Sequence, residues 1–240
     1  MGCSSGNAVP EKNKKPKNPV LVVVGPSGVG KDTVMQKLFE KHPNSFKKGT
    51  THTTRQKRPG EVEGVNYYYV TQEEFLKLKD EGGLVENNFY NNNYYGLSKM
   101  ELEKAEKLDK IMYVIIDING ANAVYKLKIP ATFVAIVPES ESVLEERLKG
   151  RGTESEDVIQ GRLNIAKEEL RKINEAPFFN YKVVNKNLDQ CVKELEEKLK
   201  EAYSKIWGKV NYYFFLFFWI FFIFFWYLFA FFLNKEIKIY

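Results

Sequence analysis

Apolar residues along the chain fall into short runs separated by longer stretches of helical periodicity. Val20–Val24 is a continuous β-branched run of the kind that forms a strand buried on both faces, and 111–116 and Ala131–Val137 read the same way. Tyr181–Val184 is a last short strand. Between these runs, Thr71-Gln72-Glu73-Glu74 and Ser98-Lys99-Met100-Glu101 match the S/T-x-x-E capping box, each opening a helical pattern. Further helices are predicted at 140–149, 156–174 and 188–206. Buried strands alternating with helices predict an α/β layered domain around a mostly parallel sheet. No internal repeat is visible.

The first strand runs into Gly25-Pro26-Ser27-Gly28-Val29-Gly30-Lys31-Asp32-Thr33. Glycines at 25, 28 and 30 let the backbone turn sharply and aim successive N–H groups at an anion. A helix starting near Lys31 adds its positive end. Strand, glycine loop, lysine and helix occur in the order of a phosphate loop, so Gly25, Ser27, Gly28, Val29, Gly30, Lys31, Asp32 and Thr33 are candidate ATP-binding residues, with Lys31 reaching the β and γ phosphates. The pattern asks for Ser or Thr after the lysine, where a hydroxyl meets Mg²⁺; Asp32 stands there instead, and Thr33 is the nearest hydroxyl.

Composition excludes more than it assigns. The chain has 240 residues, 28% charged and 44% hydrophobic, which suits one globular domain with appendages rather than a disordered chain or a rod. A net charge of +5 is too mild and dispersed to argue for nucleic acid. Two cysteines, Cys3 and Cys191, give no disulfide framework, and two histidines, His42 and His52, exclude a multi-histidine metal site. A reducing, intracellular setting is expected. Residues 1–18 are rich in Gly, Ser, Asn, Pro and Lys and read as a mobile arm; Met-Gly-Cys at its start makes Gly2 and Cys3 candidates for acylation, although Gly6 stands where that motif wants Ser or Thr. At the other end, 11 of the 18 phenylalanines lie between Phe214 and Phe232, inside an uncharged stretch at 210–233. As a helix its 24 residues would span about 36 Å against a hydrocarbon core of about 30 Å. Two readings stay open: a C-terminal membrane anchor leaving the rest facing the cytosol, or translated non-coding sequence.

The second substrate is read from segments beyond the loop. GPSGVGK, THTTRQKRPGE at 51–61, NYYYV at 66–70, LVENNFYNNNYYG at 84–96, RLKGRGTESED at 147–157 and VVNKNLDQ at 183–190 closely resemble guanylate kinase, in family order and over roughly residues 19–207. The resemblance implies a P-loop fold with a small β-rich GMP-binding lobe at about 49–97 and a helical lid at about 147–175. It implies ATP:GMP phosphotransfer with Mg²⁺, in purine nucleotide metabolism and a cytoplasmic setting, with GMP and ATP as partners. By the same resemblance, Thr51, Arg55, Arg58, Tyr67, Glu86, Tyr95 and Asp117 bind GMP. Arg55 and Arg58 grip its phosphate, and Glu86 accepts from the guanine N1 and N2 donors. Arg151 and Arg162 are the lid arginines that, with Lys31 and Arg58, act in catalysis, while Asn185 and Lys186 lie against adenine. Arg147 is read as a helix-surface arginine.

Two positions depart from the family: Leu97 replaces a Ser or Thr near the base, with Ser98 beside it, and Ile115 replaces the first of two aspartates, leaving Asp117 as the contact to GMP or to a metal-bound water. No protein ligand to the metal is assigned beyond Asp32, Thr33 or Asp117 as candidates. The rival readings are an inactive guanylate-kinase-like phosphopeptide-binding module and a kinase for another nucleoside monophosphate.

Overall fold

The computed structural model describes residues 19–90, 92–150 and 156–204. The N-terminal arm with Gly2 and Cys3, the lid arginine Arg151 and the phenylalanine-rich tail lie outside the described residues. Among the described residues no helix is long and apolar enough to cross a membrane.

Five strands form a wholly parallel sheet in the order β2-β7-β1-β8-β9. They are β1 (Val20–Val24), β2 (Phe46–Lys48), β7 (Ile111–Ile115), β8 (Ala131–Val137) and β9 (Tyr181–Val184). β1 sits at the centre with all five residues buried, as its unbroken β-branched run predicts. Val20, Val22 and Val24 enter a core with Val114, Ile116, Ala121, Val124, Phe133 and Ala135, while Leu21 and Val23 point to the opposite, equally dry face.

A second sheet, β4-β3-β6-β5, is built from β3 (His52–Thr53), β4 (Tyr68–Tyr69), β5 (Leu84–Tyr90) and β6 (Asn93–Ser98), with β5 and β6 antiparallel. α2 (Gln72–Asp80) lies between β4 and β5 in the chain, and its Thr71–Glu74 capping box is complete. The other box is half made. Ser98 accepts from the Glu101 N–H and opens α3 (Lys99–Glu106), but the Glu101 carboxylate turns elsewhere. The remaining helices are α1 (Lys31–Lys41), α4 (Ile118–Lys126), α5 (Glu141–Lys149), α6 (Glu156–Glu175) and α7 (Leu188–Ala202). α7 ends four residues short of the predicted 206. A second compact unit begins at Glu197, and its described part, 197–204, contains the end of α7.

Candidate active site

Between β1 and α1 the chain makes the tight loop that its glycines permit. Gly30 caps α1 with φ 92°, a left-handed conformation that an L side chain resists, and a β-carbon there would stand 2.9 Å from the Asn185 Nδ2. At Gly25 a β-carbon would sit 2.2 Å from the Ile136 carbonyl oxygen, so any side chain would drive the loop off β8. The Lys31 ammonium donates to the Gly25 and Pro26 carbonyls at 2.6 and 3.1 Å, which holds it along the loop's inner edge. Asp32 and Thr33 are exposed on the first turn of α1.

The segment after β9 is locked to this loop. Asn185 is buried, donating from Nδ2 to the Val29 carbonyl at 2.8 Å and from its backbone to Val137 at 2.8 Å. Arg147 corrects the surface reading given to it: its guanidinium donates to Val29 at 3.3 Å, to Asn185 at 2.7 Å and to Lys186 at 3.4 Å, all through carbonyl oxygens. One fork therefore fixes the phosphate loop against the 185–186 segment. Lys186 itself is exposed and pairs with Glu139.

In the smaller sheet, the Arg55 guanidinium pairs with Glu61 at 2.7 Å and lies 5.4 and 5.9 Å from the ring centres of Tyr67 and Tyr69. Glu61 accepts in addition from the Arg58 N–H at 2.8 Å and the Tyr69 hydroxyl at 2.7 Å. The Arg55 hydrogen bond, then the Arg58 N–H and the Tyr69 hydroxyl, hold its carboxyl down at about 2. The loop from 55 to 61 is thus closed by one carboxylate. The Arg58 side chain is exposed. Tyr67 and Tyr95 meet edge to face at 6.0 Å, and burial, with Tyr95 and Asp32 nearby, raises the Tyr67 hydroxyl. Thr51 is half-buried and its carbonyl takes the Tyr68 N–H at 2.9 Å.

Glu86 is buried on β5, where a register shift next to Leu84 brings it opposite Leu97. Desolvation, then the nearby Asp117 charge, push its carboxyl up to about 8 against the opposing Leu97 N–H hydrogen bond. Gly120 leaves it room, since a β-carbon there would be 2.8 Å from its Oε2. Asp117 caps α4 by accepting from the Gly120 N–H at 2.7 Å and also accepts from the Asn88 amide. Leu97 is wholly buried in the core, and the Ser98 hydroxyl is spent on capping α3, so the arrangement shows no hydroxyl substitution at this position. Glu101, read from the sequence only as part of a cap, is a buried hub. It accepts from the Thr50 N–H at 3.0 Å, the Tyr68 hydroxyl at 3.0 Å and Lys104 at 2.8 Å, tying the small sheet to α3.

Arg162 is half-buried on α6. Two turns further along, Glu169 accepts from the Ser27 N–H at 3.4 Å, and its carboxyl senses both Lys31 and Asp117. Asp117 thus bears electrostatically on both Glu169, beside the phosphate loop, and the buried Glu86. Sequence pattern misses Glu169 because a glutamate within a helix reads as a solvated one. Among the described residues no group of three or more His, Cys, Asp or Glu side chains is arranged to hold a metal ion.

The family profile described as guanylate kinase matches residues 17–202. The chain is similar to the guanylate kinase of Homo sapiens, 33% identical over 77% of this chain and 94% of that one. It is 39% identical to the guanylate kinase of Schizosaccharomyces pombe over 73% of this chain and 87% of that one. Among solved structures it is similar to guanylate kinase from Anaplasma phagocytophilum, with a TM-score of 0.59 and 27% identity over 77% of this chain and 85% of that chain.

Proposed function

As the chain belongs to the guanylate kinase family, we propose that it transfers the γ-phosphoryl group of ATP to GMP, and to dGMP, giving ADP and GDP. The observation that carries this reading is the pairing, in one domain, of a glycine loop edged by Lys31 with a buried, backbone-bonded Glu86. An ionised carboxylate offers two acceptors to the paired N1–H and N2–H donors of guanine, an arrangement adenine does not present.

In this reading the N–H groups of 27–30 and Lys31 hold the ATP phosphates, Thr33 adds a hydroxyl, and the Asn185–Lys186 segment, fixed by Arg147, lies along adenine. Arg55 and Arg58, with the Tyr67 and Tyr95 hydroxyls, take the GMP phosphate; Thr51 stands by the base and Asp117 contacts GMP or a metal-bound water. Phosphoryl transfer needs little covalent help. The charge spread over the transferring oxygens is met by Lys31, Arg58, Arg151 and Arg162, and closure of α6 excludes water that would otherwise hydrolyse ATP. Mg²⁺, when bound, would supply charge neutralisation at the ATP phosphates. Asp32, exposed beside Lys31, and Asp117 are the carboxylates suited to face it or its waters.

The test is ADP release measured with GMP, dGMP, AMP and UMP as acceptors. Preference for the guanine nucleotides is expected, and a preference for AMP would overturn the reading.

A further inference from the structure

Glu169 has no part in the roles just assigned, yet it stands where an anion is wanted. The Ser27 N–H belongs to the set of backbone donors that a phosphate loop turns toward its ligand, and a carboxylate from a helix nearly 150 residues later accepts from it at 3.4 Å. The side chain is partly buried, so its charge is drawn partly out of water at that contact. Lys31 is the nearest cation by effect, and Lys172 on the same helix adds a weaker attraction, while Asp117 opposes the charge. α6 carries Arg162 seven residues before Glu169, on the same side of the helix.

We propose that Glu169 is a positioning residue that competes with the nucleotide phosphates for the Ser27 N–H and so couples the helix bearing Arg162 to occupancy of the phosphate loop. A triphosphate entering the loop brings a stronger acceptor to the same donor and a like charge against the carboxylate. Both effects favour withdrawal of Glu169 from the loop, and its helix moves with it. The contact thereby holds α6 in one position until the phosphates arrive. The inference rests on the phosphate-loop reading of residues 25–33 and adds a partner to it from α6. Burial raises the Glu169 carboxyl above the usual range, with Lys31 and the Ser27 N–H acting against that rise. A group so placed gives up its charged contact more readily than a solvated glutamate would.

The full-length chain with Glu169→Gln and Glu169→Ala tests this by equilibrium binding of ATP and of inorganic tripolyphosphate, alongside GMP. Both variants are expected to bind ATP and tripolyphosphate about five- to tenfold more tightly, about 1–1.4 kcal/mol. GMP affinity should be unchanged, and kcat should fall because α6 is no longer set before phosphate entry. In steady state KM for ATP and kcat then fall together while KM for GMP stays fixed, a split that a merely structural role would not produce. ATP and tripolyphosphate affinities that are unchanged or weaker in both variants would overturn the proposal. Failure of the parent chain to bind tripolyphosphate at all would instead remove the phosphate-loop reading beneath it. Thermal unfolding of the variants without ligand checks that each is folded.

Discussion

The phosphate loop takes its shape from main chain, whereas the acceptor lobe takes its shape from buried and bridging carboxylates. At the first, glycines bring N–H groups into place and the ties are to carbonyl oxygens, through Lys31, Asn185 and Arg147. At the second, Glu61 closes the arginine loop, Glu101 fastens the small sheet to α3, and Glu86 stands ready as an acceptor. A main-chain cradle binds any phosphate ester and cannot tell one base from another. Side-chain carboxylates can discriminate, but each depends on its protonation and on the partner that holds it. On the proposed reading, specificity therefore sits in the part of the site most sensitive to pH and to point substitution.

Lys31→Met should have the largest effect, removing the cation that meets the transferring charge. Turnover is expected to fall by about 10²–10³ with the fold retained, measured as kcat by ADP release and as an unchanged unfolding temperature. Next, Glu86→Gln replaces one of the two acceptors with a donor facing the guanine N–H groups, and kcat/KM for GMP should fall about 10²-fold while ATP affinity is kept. The same variant sharpens the pH difference between the two halves. The Glu86 carboxyl lies near 8 when folded against 4.5 ordinarily, so the folded state holds the extra proton and stability declines as pH rises from about 4.5 to about 8. Chemical denaturation across that window should show the decline in the parent and a flatter profile in Glu86→Gln. KM for GMP in the parent should improve over the upper part of the same range as the carboxyl ionises.

Glu61→Ala frees Arg55 without touching the cradle, so KM for GMP should rise about tenfold with KM for ATP unchanged. Arg147→Lys is the gentlest probe. A single ammonium cannot bridge Val29 and Asn185 as the fork does, and KM for ATP should rise about threefold with KM for GMP unaffected. If Arg147→Lys instead altered GMP binding, the separation between the halves would fail.

The same contrast governs what the chain discloses in its residue order. β1, β8 and β9 have the boundaries expected of them, because a β-branched run between turn residues has no other stable use, and the glycine loop carries its geometry in residue type. α4 is not among the expected helices. Asn119, Gly120 and Asn122 are poor helix formers, and the helix forms because Asp117 caps it and Ile118, Ala121 and Val124 are buried. Arg147 misleads because its partners are carbonyls 38 and 118 residues away, which no local pattern announces. Glu61, Glu101 and Glu169 share that difficulty: a glutamate's role as a bridge depends on donors brought to it by topology, and its letter in the sequence is the same as that of a solvated one.

The parallel order of the large sheet also sets a timetable for synthesis. β1 pairs with β7 and β8, with Leu21 opposite Tyr113 and Val22 opposite Phe133. On a ribosome adding about 5–20 residues per second, its Val-Leu-Val-Val-Val segment waits several seconds or more without a strand partner, while the β5–β6 hairpin can close locally. The strand that ends in the phosphate loop is thus made first and seated late, and in that interval its apolar side chains have no sheet to enter.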